Sequence, residues 1–151
     1  MADTPDFIKS LTDWIGTTAV LERTTAPFAL FAHAAEESQP PAAKNYTDPY
    51  TVIRGFGGDP AGSDPTCDRS LQSYTVGNNV AACMAQAQKV HDALLMQRSP
   101  DDDGNTPARN VAITGWFILA IGNLRQPGLI GRDPKQRAEV VFNFEVVYRA
   151  A

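Results

Sequence analysis

Residues 138–149 alternate without interruption: Val140, Phe142, Phe144, Val146 and Tyr148 fall on one side of an extended chain, and Val141, Asn143, Glu145, Val147 and Arg149 on the other. A period of two held over this length predicts a β-strand with one face buried and the other half exposed. Such a strand needs a sheet to pair with and a second layer to cover its apolar side.

That layer is also legible. Over residues 79–97, Val80, Cys83, Met84, Ala87, Val90, Leu94 and Leu95 recur at close to the helical period, which predicts an amphipathic helix. A shorter helix is predicted at 5–16, with Thr4 as its cap, Pro5 at its first position and Asp6 at the positive end of its dipole. Its apolar face is Phe7, Ile8, Leu11, Trp14 and Ile15. Further strands are predicted at 27–34, 50–54, 71–76 and 111–124. In the last of these both alternating sets are apolar, so a central strand covered on both faces is expected. The order α-β-β-β-α-β-β predicts an α+β class: a single domain over 1–151, with a mixed or antiparallel sheet of about five strands packed against two helices. Segments 36–48, 57–69, 98–109 and 125–137 are expected as long loops because Pro, Gly and Asp gather there. The first two are expected to be arms that order on assembly.

The 151 residues are 43% apolar and 20% charged, the balance of a soluble globular chain. The formal charge of −4 argues against unaided binding to nucleic acid or to an anionic membrane, since both need a basic face. No run of 18 apolar residues and no basic leader occurs, so neither a membrane span nor a signal peptide is expected. Cys67 and Cys83 are expected as free thiols, Cys83 as a small buried hydrophobe.

Catalytic motifs are missing. Gly55-Phe56-Gly57-Gly58 lacks the Lys and Ser/Thr of a phosphate loop. Asp101-Asp102-Asp103-Gly104 has the composition of a calcium loop, but Asn110 stands where a loop starting at Ser99 needs Glu. No Gly-x-Ser-x-Gly elbow occurs, and His33 and His91 have no metal-ligand spacing to each other or to the cysteines. Cys83 and His91 stand eight residues apart on one helix, about 12 Å, too far for a nucleophile and its base. No catalytic residue, metal or cofactor is expected.

One larger pattern remains. Leu71–Gly77 runs as a strand into the helix from Asn79, and a long strand follows. Next come the loop Pro127-Gly128-Leu129-Ile130-Gly131-Arg132-Asp133-Pro134 and a closing strand carrying Asn143. Upstream stands Tyr50–Arg54 before Gly55-Phe56-Gly57-Gly58. Over roughly residues 49–148 this resembles the tail-terminator (minor capsid or tail-completion) proteins of long-tailed bacteriophages. Gly77-Asn78 departs from the Arg-Gly more usual there, and 17–48 is longer and richer in Ala and Pro. The resemblance implies a structural virion protein rather than an enzyme, made in a bacterial cytoplasm and located in the tail or neck. It implies a homo-oligomeric ring, typically hexameric, that caps the head-proximal end of the tail tube. Its partners would be the tube protein and a neck or head-completion protein, with DNA passing through the lumen without specific binding and no membrane involved. A head-closure or other head–tail connector protein is the nearest alternative. An enzyme of unrecognised class and a cellular binding module stay open.

An assembly contact is expected on Arg125–Arg137. Arg125, Arg132, Lys135 and Arg137 against Asp133 alone make it the most positive segment of an acidic chain. Leu129 and Ile130 are adjacent there and have no evident place in the domain's own core. Two alternatives are a solvated hairpin whose Leu and Ile fold back on the sheet, and a loop that contacts DNA.

Overall fold

The computed structural model describes residues 6–25, 27–33, 46–55, 66–95 and 109–151. Thr4 and Pro5 lie outside them, and the first helix, α1 (Phe7–Ala19), is capped by Asp6, whose carboxylate accepts from the Lys9 N–H at 2.9 Å. Phe7, Ile8, Leu11 and Ile15 form its buried stripe. The second helix, α2 (Val80–Leu94), is capped by Asn79, which accepts from the Ala82 N–H at 3.0 Å.

Strand β1 (Phe28–Ala32) runs parallel to β2 (Tyr46–Gly55), and β2 runs antiparallel to β3 (Thr66–Gly77). The remaining strands are β4 (Arg109–Ile113), β5 (Trp116–Gly122), β6 (Gly128–Arg132) and β7 (Ala138–Ala150). β7 is the axis of the sheet. One side pairs with β3 from Ala138 to Arg149, and the other side is shared by β5 and β6. The order is β1-β2-β3-β7-β5-β4, with β6 on β7.

This corrects the expected fold class. Among the described residues, two helices and seven strands form a mixed α/β fold with the sheet curled into a half-barrel, in place of an α+β domain of about five strands. Two misread segments account for the difference. Residues 111–124 do not form one central strand: the chain reverses at Thr114-Gly115, Gly115 takes φ 78°, and β4 and β5 pair as a hairpin with β4 outermost. Phe117 on β5 is half-buried and carries the Arg149 guanidinium 4.8 Å from its ring centre. The expected loop 125–137 contains β6, which leaves only residues 133–137 as the turn.

Other expected loops are shorter as well. Tyr46–Asp48 and Thr66–Arg69 belong to β2 and β3, and Arg109 begins β4; the rest of 36–48, 57–69 and 98–109 lies outside the described residues.

Both helices cover the β7 face that carries the even-numbered residues. Val90 and Leu94 of α2 pack in one cluster with Leu11, Leu71, Phe142 and Phe144. Cys83 and Ala87 pack on Ala138 and Val140, where small side chains let the helix sit close to the sheet. Burial pushes the Cys83 thiol up, helped by the negative charge of Asp48. Phe7 stacks on Tyr148 with ring centres 3.5 Å apart. Each such apolar side chain contributes roughly 1.5–3 kcal/mol. A smaller cluster, Tyr50, Val52, Tyr74 and Val76 with Phe31 and Val141, buries part of the opposite face. Beside it Arg54, Gln72 and Asn143 form a hydrogen-bonded row across β2, β3 and β7.

Candidate functional site

The turn after β6 is built around Asp133. Asp-Pro starts a turn readily because the carboxylate can accept from backbone N–H groups ahead of it. Here Asp133 Oδ1 accepts from the N–H of Lys135 at 2.9 Å and of Arg137 at 2.8 Å. Its Oδ2 takes Nε and Nη2 of Arg137, both at 2.7 Å. The backbone closes the turn again through Gln136 N–H to Asp133 O at 2.8 Å and Asp133 N–H to Arg137 O at 2.9 Å. Arg132 Nη1 donates to Gln136 O at 2.9 Å.

Burial alone would raise the Asp133 carboxyl. The hydrogen bonds and charge of Arg137, with the Lys135 N–H, outweigh it and hold the group below the usual carboxylate range. Burial likewise works against the Arg137 charge, and Asp133 and Tyr50 more than restore it. Arg137 reaches the Tyr50 hydroxyl at 3.4 Å and lies 5.9 Å from the ring centre. The turn is thus tied to β2 and held in one shape.

Leu129 and Ile130 stand on this fixed edge, 51% and 62% exposed. With Val20 they are the large apolar side chains left exposed among the described residues. Leu129 pairs with Val140 and Gly131 with Glu139, so Ile130 is the extra residue of a β-bulge. A bulge at a sheet edge breaks the row of unpaired backbone groups and discourages open-ended strand addition. Contact at β6 is therefore a matter of side chains.

The structure brings Leu129, Ile130, Arg132, Lys135 and Arg137 to one end of the β6–β7 hairpin. Arg137 turns inward onto Asp133 and Tyr50, while Arg132 stays exposed. Arg125 stands before β6, its N–H donating to Asn143 O at 3.1 Å, beside a hollow that Ser70, Asn123 and Glu145 help to line. With Arg137 held by Asp133, the exposed Arg132, whose printed partner is the Gln136 carbonyl, keeps this edge cationic. An apolar pair beside cationic side chains has the composition of a contact surface.

Both histidines lie elsewhere. His33 is exposed, with Nε2 2.9 Å from Asp6 Oδ1. His91 is buried edge-on to Phe142, with Nδ1 3.3 Å from both Gln88 and Asp92. Among the described residues no group of three His, Cys, Asp or Glu side chains is placed to hold a metal ion. No helix among them is long and apolar enough to cross a membrane.

No protein-family model matches the sequence, and no curated protein matches it significantly.

Two structural features have no positive signal in the sequence. Tyr50 reaches Arg137 from 87 residues away, which no local pattern signals. Val20 ends α1 in the left-handed region, and the signal available was negative: no Gly or Asn follows Thr17-Thr18-Ala19 to cap the helix.

Proposed function

We propose that this chain is a structural subunit that joins copies of itself into a ring through its β6 edge. We further propose that the ring is a tail terminator, capping the head-proximal end of a bacteriophage tail tube and joining it to the neck. The observation that carries the assembly reading is the exposed pair Leu129 and Ile130, held on a rigid turn and rimmed by positive charge. Apolar anchors inside a charged rim are how interfaces concentrate their binding energy. The tail-terminator assignment rests on the pattern over residues 49–148. The net charge of −4 fits a lumen through which DNA slides, since acidic walls repel phosphate.

The test is to polymerise the tube protein of the same genome with and without this chain and measure tube lengths by electron microscopy. The proposal expects tubes that stop growing and carry a ring at one end. An unchanged length distribution with no end-bound ring would overturn it.

A further inference from the structure

We infer that the surface receiving Leu129 and Ile130 is the α1–β1 turn of a second copy of this chain, with Val20 as its apolar anchor and Glu22 supplying the net negative charge of its rim. This rests on the ring reading above and names the other half of its contact.

Val20 is the odd residue of the fold. It ends α1 at φ 57° and ψ 53°, a conformation that a β-branched side chain rarely holds and that helix ends normally assign to Gly or Asn. The cap needs only the backbone, through Leu21 N–H to Gly16 O at 2.9 Å. The Val20 side chain is 85% exposed, so the domain's own core gains nothing from it either. Neither capping nor packing accounts for a valine here. Contact with another molecule does.

The surroundings say which molecule. Val20 borders an open hollow of about 520 Å³ whose walls include Gly16, Thr17 and Leu21. Two carboxylates stand at its rim. Glu22 accepts from the N–H groups of Thr24 at 3.1 Å and Thr25 at 2.9 Å and from the Thr24 hydroxyl at 3.1 Å. Asp13 takes the Arg23 guanidinium at 2.5 Å. Asp13, Glu22 and Arg23 together leave one negative charge, against the positive edge at β6.

Every large apolar side chain left exposed among the described residues then belongs to one of two patches of opposite charge. The patches lie on different elements, so the ring reading joins them one pair per contact, head-to-tail, an arrangement that closes where the rotation between copies allows it. A two-fold contact of β6 on β6 would instead set Arg132 of one copy near basic residues of the other, which costs association.

The test compares native mass and sedimentation of the wild-type chain, Val20→Asp, and the double variant Leu129→Asp with Ile130→Asp. Each variant alone is expected to lose self-association by more than about tenfold, as removing a buried anchor does. Mixed in equal amounts, the two should form a one-to-one dimer and stop, because one intact pair of faces remains. Val20→Gly separates docking from folding: it relieves the cap, so the lone subunit should melt at a higher temperature while association falls. Val20→Asp assembling like wild type while the β6 variant stays monomeric would overturn this inference and leave the ring reading standing. Variants that remain monomeric when mixed would overturn the pairing of the two faces. If Val20→Asp does not fold, unchanged association of Val20→Gly overturns the inference. A wild-type chain that never assembles, even with tube protein, overturns both readings.

Discussion

Leu129 and Val140 face each other across the β6–β7 ladder, on the same side of the sheet, yet Val140 is fully buried beneath α2 while Leu129 is half exposed. The helix stops covering the sheet one strand short of its edge. The last row of apolar side chains is left outside the core, on a hairpin whose turn is fixed by Asp133 and Arg137. The core gains little from side chains this exposed, and the proposed contact between copies would bury them.

The helix–sheet core should respond steeply to truncation. Leu94 is fully buried against the sheet, and Leu94→Ala should cost roughly 2–5 kcal/mol, as deletion of buried leucines does. Urea unfolding of the variant beside wild type measures this. An unchanged midpoint would show that α2 does not seal the sheet.

Gly77, at the end of β3, has no room for a side chain beside Asp48 and Pro49 of β2. A Cβ there would lie 2.5 Å from Asp48 Oδ1, 2.8 Å from Pro49 Cβ and 2.9 Å from Pro49 Cα. Asp48 is not free to retreat, since it accepts from the Asn78 N–H at 2.8 Å and from Asn78 Nδ2 at 2.5 Å. Gly77→Ala should therefore destabilise by roughly 1–3 kcal/mol, the range of overpacked sites, read as a lower melting temperature.

Asp133 predicts a dependence on acid. Its carboxyl binds a proton less readily folded than unfolded. Its contribution to stability is complete above the unfolded carboxylate value near about pH 4, and is lost as pH falls through the lower folded value. Asp133→Asn should be less stable than wild type at neutral pH, and the gap should narrow on acidification. A gap that stays constant from neutral pH into strong acid would show that the charge on Asp133 does not hold the turn.

How much of this was legible follows from what each segment buries. β7 and the stripes of α1 and α2 could be read because one face of each meets the core, so their apolar residues keep a clean period. β6 could not: Gly128-Leu129-Ile130-Gly131-Arg132 lies at an edge, carries a bulge and buries no face, so no alternation is imposed on it. The start of β2 was hidden because Asp48 and Pro49 have loop composition, although both lie within the strand. Leu129 and Ile130 stood out by composition alone. The inward turn of Arg137 needed Tyr50, and the exposure of Val20 needed a left-handed backbone that its residue type does not announce.

The central claim, that the β6 edge joins copies of this chain, is tested most directly by native mass measurement of the double variant Leu129→Asp with Ile130→Asp. Both side chains project outside the core, so the variant should keep its circular dichroism and melting behaviour. Wild type should appear at a multiple of the 16.3 kDa subunit mass and the variant at 16.3 kDa alone. A folded variant that assembles as wild type does, or a variant that fails to fold, would contradict the claim.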